Sequence, residues 1–161
     1  MAQLSYDFNM PIAVEGKIAD SEVNLKEGTW VAAGVIPFGR GVVKVPGEDD
    51  WIKLPDGTDN TFHGVSLMSQ PHEQALGTGI VQYEDAEPVN VLRKGKVWVY
   101  SEVAIDPDAD SPFFRFAAGT ATVIGRFRND HDTATAAAVP NARFVTKSAG
   151  AGLVVLEINN P

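Results

Sequence analysis

The stretch that most constrains this chain runs from Lys96 to Ile105. Val97, Val99, Ser101, Val103 and Ile105 fall on one side of an extended backbone, and Trp98, Tyr100, Glu102 and Ala104 on the other. A period of two, rich in β-branched and aromatic side chains, specifies a pleated strand rather than a helix. The aromatics on its second face predict that this face, too, is partly covered. Around this strand the 15 Gly and 10 Pro are spread at short intervals through the 161 residues, which divides the chain into short elements joined by turns. Thr29–Ile36, Gly41–Val45, Phe62–Met68, Gly79–Tyr83, Val89–Leu92, Phe113–Phe116, Thr120–Phe127, Ala142–Thr146 and Leu153–Ile158 read as further strands. About ten short strands imply an all-β fold, a β-sandwich or jelly-roll-like arrangement or a barrel, in a single domain. Long helical periodicity is missing, and the Ala-rich Asp132–Val139 segment has room for one helical turn before Pro140 stops it.

Turn chemistry separates the strands. Pro46–Asp50, Pro55–Asn60 and Asp106–Asp110 combine Pro, Gly and Asx residues into exposed acidic loops. Before the first confident strand, residues 1–18 form an extended N-terminal arm ahead of a β-rich domain over 19–161. Tyr6, Phe8, Met10, Pro11 and Ile12 give the arm an apolar character, so it requires a surface to cover, either its own barrel or a neighbouring subunit.

Charge and composition exclude several classes. Acids outnumber bases 21 to 13 for a net charge of -8, the reverse of the balance that phosphate contacts demand, which argues against a nucleic-acid partner. Cysteine is absent, so disulfides, thiolate metal sites and thiol catalysis are excluded together. No uncharged apolar run approaches the roughly 18 residues of a membrane span, and the first residues carry no signal-peptide pattern. The expectation is a soluble chain made in the cytosol, without a membrane partner.

Chemical motifs are sparse. Neither a phosphate loop nor a G-x-S-x-G elbow occurs, and Gly39-Arg40-Gly41 and Gly77-Thr78-Gly79 read as turns or bulges. His63 and His72-Glu73 lack a third metal ligand close by. Asp106, Asp108 and Asp110 open like a calcium loop, but Ser111 and Ala117 stand where Gly and a bidentate Glu are required. In Asp130-His131-Asp132, neighbours on a turn do not converge on one substrate atom. The bases are more informative: Arg93-Lys94-Gly95-Lys96 reads as a basic turn, and Arg126-Phe127-Arg128 as a strand with outward Arg and inward Phe. Arg93, Lys94, Arg126 and Arg128 are thus candidate contacts with an acidic partner surface. No cofactor or metal site is expected.

Taken in order, Pro11–Asp20, Ile36–Val43, Phe62–Leu67, Val89–Val99, Ala142–Phe144 and Leu153–Asn159 resemble the structural cement proteins of tailed bacteriophages, small decoration proteins on the outside of the capsid. The resemblance covers residue 10 or so to the end and rests on order and spacing. It implies a non-enzymatic virion protein on the outer capsid surface, synthesised in the host cytoplasm. It also implies the major capsid protein as partner and a homo-oligomer, a trimer favoured over a dimer. The alternatives are a carbohydrate- or host-surface-binding β-module, for which Trp30, Trp51 and Trp98 would be the platforms, and a trimeric β-barrel hydrolase.

Overall fold

Among the described residues, short apolar runs between turns fold into twelve strands: β1 (Leu25–Ala32), β2 (Ile36–Pro37), β3 (Gly41–Lys44), β4 (Trp51–Lys53), β5 (Gly64–Ser66), β6 (Gln82–Tyr83), β7 (Pro88–Ser101), β8 (Phe113–Arg115), β9 (Phe127–Arg128), β10 (Ala136–Ala138), β11 (Ala142–Phe144) and β12 (Gly152–Asn159). The computed structural model describes residues 13–20, 24–57, 61–69, 82–120 and 122–160, and among these there is no helix.

The alternating stretch belongs to β7, the longest strand at 14 residues. Val97, Val99 and Ser101 are fully buried, and Trp98 and Tyr100 on the other face are half-buried, as the second-face aromatics require. The expected strands Val89–Leu92 and Lys96–Ile105 are one element, and Arg93–Lys96 is strand rather than a basic turn. Pairing on both edges keeps it extended: Lys94 stands opposite Leu25 of β1 and Asn159 of β12, and Lys96 opposite Glu157. Gly95 makes this passage possible, since its φ is 130° and a Cβ there would lie 1.9 Å from Asn24 Oδ1. The strand stops at Ser101, whose Oγ donates to the Val103 carbonyl at 2.8 Å. Ile105 forms an isolated bridge to Ser148 instead.

Strands β1, β4, β3, β5 and the first half of β7 hydrogen-bond in that order, and β7 returns to β1, closing a five-stranded barrel. The second half of β7 leaves the barrel and carries the remaining sheet. β12 pairs along it from Ser101 to Lys94, with β11 outside. At the far end Ser101 pairs with Phe127 of β9, which continues to β8 and β10. β2 and β6 form a separate two-stranded sheet. Consecutive Val42 and Val43 on β3 belong to different apolar clusters, one around Trp30, Phe38, Ile52 and Tyr83, the other around Phe62, Phe114, Phe127 and Phe144. Neighbours on a strand face opposite ways, so the two clusters lie on opposite sides of β3. All of this forms one all-β domain, with the barrel alternative realised.

Part of the stretch expected to form an N-terminal arm is described. Residues 13–20 lie along β7: Gly16 N donates to the Trp98 carbonyl at 2.8 Å, Trp98 N to Lys17 at 2.9 Å and Ala19 N to Lys96 at 2.8 Å. Tyr6, Phe8, Met10, Pro11 and Ile12 lie outside the described residues.

Three local expectations change. Thr120–Phe127 is mostly turn, because Val123 N and Ile124 N both bond back to Thr120 O and Gly125 adopts φ 81°; Thr120 and Thr122 are exposed there, and Val123 and Ile124 half-buried. Asp132–Val139 forms no helical turn of the usual hand. Asp132, Thr133 and Ala134 have φ of 40°, 57° and 64°, and the chain then enters β10 against β8. β4, set between two acidic loops, is an additional short strand that pairs parallel with β1.

Candidate functional site

The end of β7 gathers charge. Glu102 follows the last residue of the strand on the Trp98–Tyr100 face, Arg115 ends β8 and Arg128 ends β9, so three adjacent strand ends deliver three ionic groups to one place. Arg115 Nε lies 3.0 Å from both Glu102 oxygens and its Nη2 2.8 Å from Oε2. Arg128 Nη1 adds a bond to the same oxygen at 2.9 Å. Behind them, the left-handed turn carries Asp132 to Arg115 Nη2 at 2.7 Å and to Arg128 Nη2 at 3.3 Å, and Asp130 takes Arg128 Nε at 2.9 Å. Burial alone would raise the Glu102 carboxyl, but the hydrogen bonds and charges of the two guanidiniums outweigh it and hold it below its usual value. The bond to Glu102 likewise raises Arg115. Such bidentate, charge-assisted contacts fix side chains in place.

Arg126 differs from its neighbours. Its guanidinium lies over the Tyr100 ring, 4.3 Å from the centroid. Its Nε is buried without a hydrogen-bond partner, and among the described residues no carboxylate stands within ion-pair distance. It faces an open depression of about 340 Å³ that Tyr100, Glu102, Arg115, Ala118, Val123 and Ala151 line with it. Close by, Arg40 is 4% exposed and has Glu15 at 3.8 Å; burial pushes its guanidinium down.

A second centre sits at the barrel end of β7. Glu27 accepts from Trp30 Nε1 at 2.9 Å and from Arg93 Nη1 at 3.1 Å, and lies 3.0 Å from His63 Nε2. The His63 ring meets Trp30 edge-on at 4.6 Å, and Lys44 Nζ lies over the indole at 4.7 Å. Burial pushes the His63 imidazole down and the Arg93 charge adds to this, against the opposing pull of Glu27. Burial would raise Glu27, yet bonds from Trp30 and His63 and the Arg93 charge hold it low.

The candidate bases are therefore not one patch. Arg93 and Lys94 sit where β7 leaves the barrel, and Arg126 and Arg128 gather around Tyr100 and Glu102. At about 3.3 Å per strand residue, these groups are about 20–30 Å apart. Arg93 and Arg128 are held in ion pairs, Lys94 is exposed, and Arg126 lies over Tyr100 with no acid partner among the described residues. Phe127 is buried, as the outward-Arg, inward-Phe reading of this stretch expects. Arg115, Glu102 and Glu27 were not singled out by sequence. For Glu102 the signal was its place on the Trp98–Tyr100 face; for the other two, pairing between distant strands decides and leaves no local trace.

Other sequence features find structural uses. Asp106 and Asp110 carboxylates cap backbone amides of their own turn, at 3.3 Å from Asp108 N and 2.7 Å from Asp106 N. Asp130 and Asp132 converge on Arg128 while His131 is exposed. Among the described residues no group of three potential ligands is placed to hold a metal ion. Trp30 is buried against His63 and beneath Lys44 and presents no open ring face. His72-Glu73 and Gly77-Thr78-Gly79 lie outside the described residues.

Barrel, appended sheet and braced charges define an all-β protein whose polar groups organise a surface. Residues 2–159 match the structural cement protein family, described by E217 gp24 and Pam3 gp6, and the chain belongs to that family. The role this assigns is structural, in the capsid of a phage virion. In the solved capsid of Myoviridae phage XM1, one chain superposes with a TM-score of 0.71 over 98% of both chains at 15% identity, a likeness of fold. No curated protein matches the chain.

Proposed function

We propose that this chain binds the outer surface of a tailed-phage capsid and stabilises contacts between neighbouring major capsid protein subunits, without catalysis. Family membership over nearly the whole length carries this reading. The exposed acidic loops at Glu48-Asp49-Asp50 and Asp106-Pro107-Asp108 and the net charge of -8 suit an outward-facing position. Tyr6, Phe8, Met10, Pro11 and Ile12 supply apolar contact with a capsid or sister subunit, and Arg93, Lys94, Arg126 and Arg128 supply the basic one. Self-association as a trimer, favoured over a dimer, would repeat these contacts, and repetition over a shell converts modest affinities into avidity.

Purified chain, mixed with capsids of its phage that lack it, should co-sediment with them and raise the temperature at which they disrupt. Absence of both effects overturns the reading. Deleting residues 2–10 should lower capsid occupancy; unchanged occupancy with unchanged self-association removes the arm from the contact.

A further inference from the structure

Among the guanidiniums at the end of β7, only Arg126 has no acid of its own among the described residues. Arg115 and Arg128 share Glu102 and Asp132, and Arg128 also takes Asp130. Both Glu102 oxygens are already engaged by these two arginines, so the carboxylate lining the depression is spent. The Arg126 guanidinium sits over the Tyr100 ring, 4.3 Å from its centroid, with Nε buried and unbonded. A guanidinium anchored over a ring keeps its remaining N–H groups at one place, and its planar fork fits a carboxylate through two parallel bonds. Little side-chain freedom remains to be lost when the partner arrives.

Resting on the capsid-binding reading, we infer that the Arg126–Tyr100 depression is the socket for one aspartate or glutamate side chain of the capsid surface. Ala118, Val123 and Ala151 form walls that the methylenes of such a side chain can contact. This singles out Arg126 from the basic candidates. Arg93 and Arg128 are neutralised within the chain, and Lys94 is a hydrated, exposed ammonium suited to the rim of a contact.

The test compares binding to capsids lacking this chain, at low and moderate salt, for wild type, Arg126→Met, Arg126→Lys and Lys94→Met, with melting curves for each. Arg126→Met keeps an unbranched stem against Tyr100 and should weaken binding about tenfold or more. Arg126→Lys should recover only part of the loss, because an ammonium lacks the fork, and Lys94→Met should change affinity less than about threefold. Ala151→Glu, at an exposed turn position, leaves Arg126 in place and fills the socket with an internal carboxylate; it should reproduce the loss even if Arg126→Met folds poorly. Wild-type binding with Arg126→Met and Ala151→Glu both within twofold of it overturns the socket and leaves the capsid reading standing. Wild type that fails to bind overturns the capsid reading itself. Loss of self-association in Arg126→Met by sedimentation equilibrium overturns the assignment to the capsid and gives the socket to a second copy of this chain.

Discussion

Two carboxylate centres flank the second half of strand β7, Glu27 of β1 beside Arg93 and Glu102 just past Ser101, and the two are built from different donors. At the barrel end Glu27 gathers an indole, an imidazole and one guanidinium. At the sheet end Glu102 gathers two guanidiniums, themselves backed by Asp130 and Asp132. Indole is neutral at any pH and imidazole titrates near neutrality, whereas guanidinium stays charged throughout. The barrel centre is therefore open to acid, and the sheet centre is a permanent ionic brace. The contrast also explains the position of Arg126: the brace engages Glu102, Asp130 and Asp132, and among the described residues no acid is left for it.

The largest expected difference comes from deleting each carboxylate. The Glu102, Arg115 and Arg128 side chains are 12%, 10% and 12% exposed, so Glu102→Ala takes the most buried acid from two desolvated guanidiniums, leaves them only the more exposed Asp130 and Asp132, and should cost about 3 kcal/mol. Glu27 is 31% exposed, and only one of its three partners, Arg93, is a guanidinium, so Glu27→Ala should cost about 1–2 kcal/mol. Urea-denaturation midpoints measure both, and equal losses would break the comparison.

Next in size is the joint between the two halves. Gly95→Ala places a methyl against Asn24 Oδ1 in a backbone region that L-residues avoid, at a cost of about 2–3 kcal/mol. If the joint couples the centres, amide exchange should quicken in both β1 and β12, which pair with β7 on either side of it. Faster exchange confined to one of them would show that the halves open separately.

A smaller effect separates the centres by pH. His63 is held below its unfolded pKa, so between the two values the unfolded chain binds more protons. Stability should therefore be complete above the unfolded value of about 6.5 and fall as acid is added down to the folded value. The groups around the ring are Glu27, Arg93, Lys44 and Trp30. The lowered Glu27 and Glu102 carboxyls contribute stability above the carboxylate range that is lost only further down, as pH falls through their folded values. His63→Gln should erase the upper step in melting temperature and spare the lower one. An upper step that survives this change assigns it to another group.

The sequence and the structure agree where the physics is local. Alternation in Val97–Ser101 announces a strand with both faces covered, and Pro46–Asp50 announces an exposed acidic loop; both follow from neighbouring residues alone. Closure of the barrel is not local, because it depends on the parallel match of β1 with β4 and on β7 passing through Arg93–Gly95 without turning. Basic residues beside a Gly are the signature of a turn, yet the strand partners Leu25, Asn159 and Ile158 override it. At the site, Arg126 and Arg128 were legible as a pair of bases flanking a buried Phe. Their opposite fates were not, since these depend on Glu102, Tyr100 and Asp132 arriving from other elements.

The left-handed turn that delivers Asp132 to the brace provides the smallest test of the comparison. Holding Thr133 and Ala134 at φ of 57° and 64° costs about 1–2 kcal/mol per residue for an L-amino acid, a strain the Glu27 centre does not carry among its own residues. Glycine removes the Cβ conflict but loses more backbone freedom on folding, by about 0.5–1 kcal/mol. Ala134→Gly should therefore stabilise the protein by about 0.5–1 kcal/mol, the difference between these terms, while the same change at Ala137 in β10, where the backbone is extended, should destabilise it. Thermal unfolding of the two variants decides. If Ala134→Gly lowers the melting temperature as Ala137→Gly does, the turn is not a strained delivery device and the sheet centre is held in place as cheaply as the barrel centre.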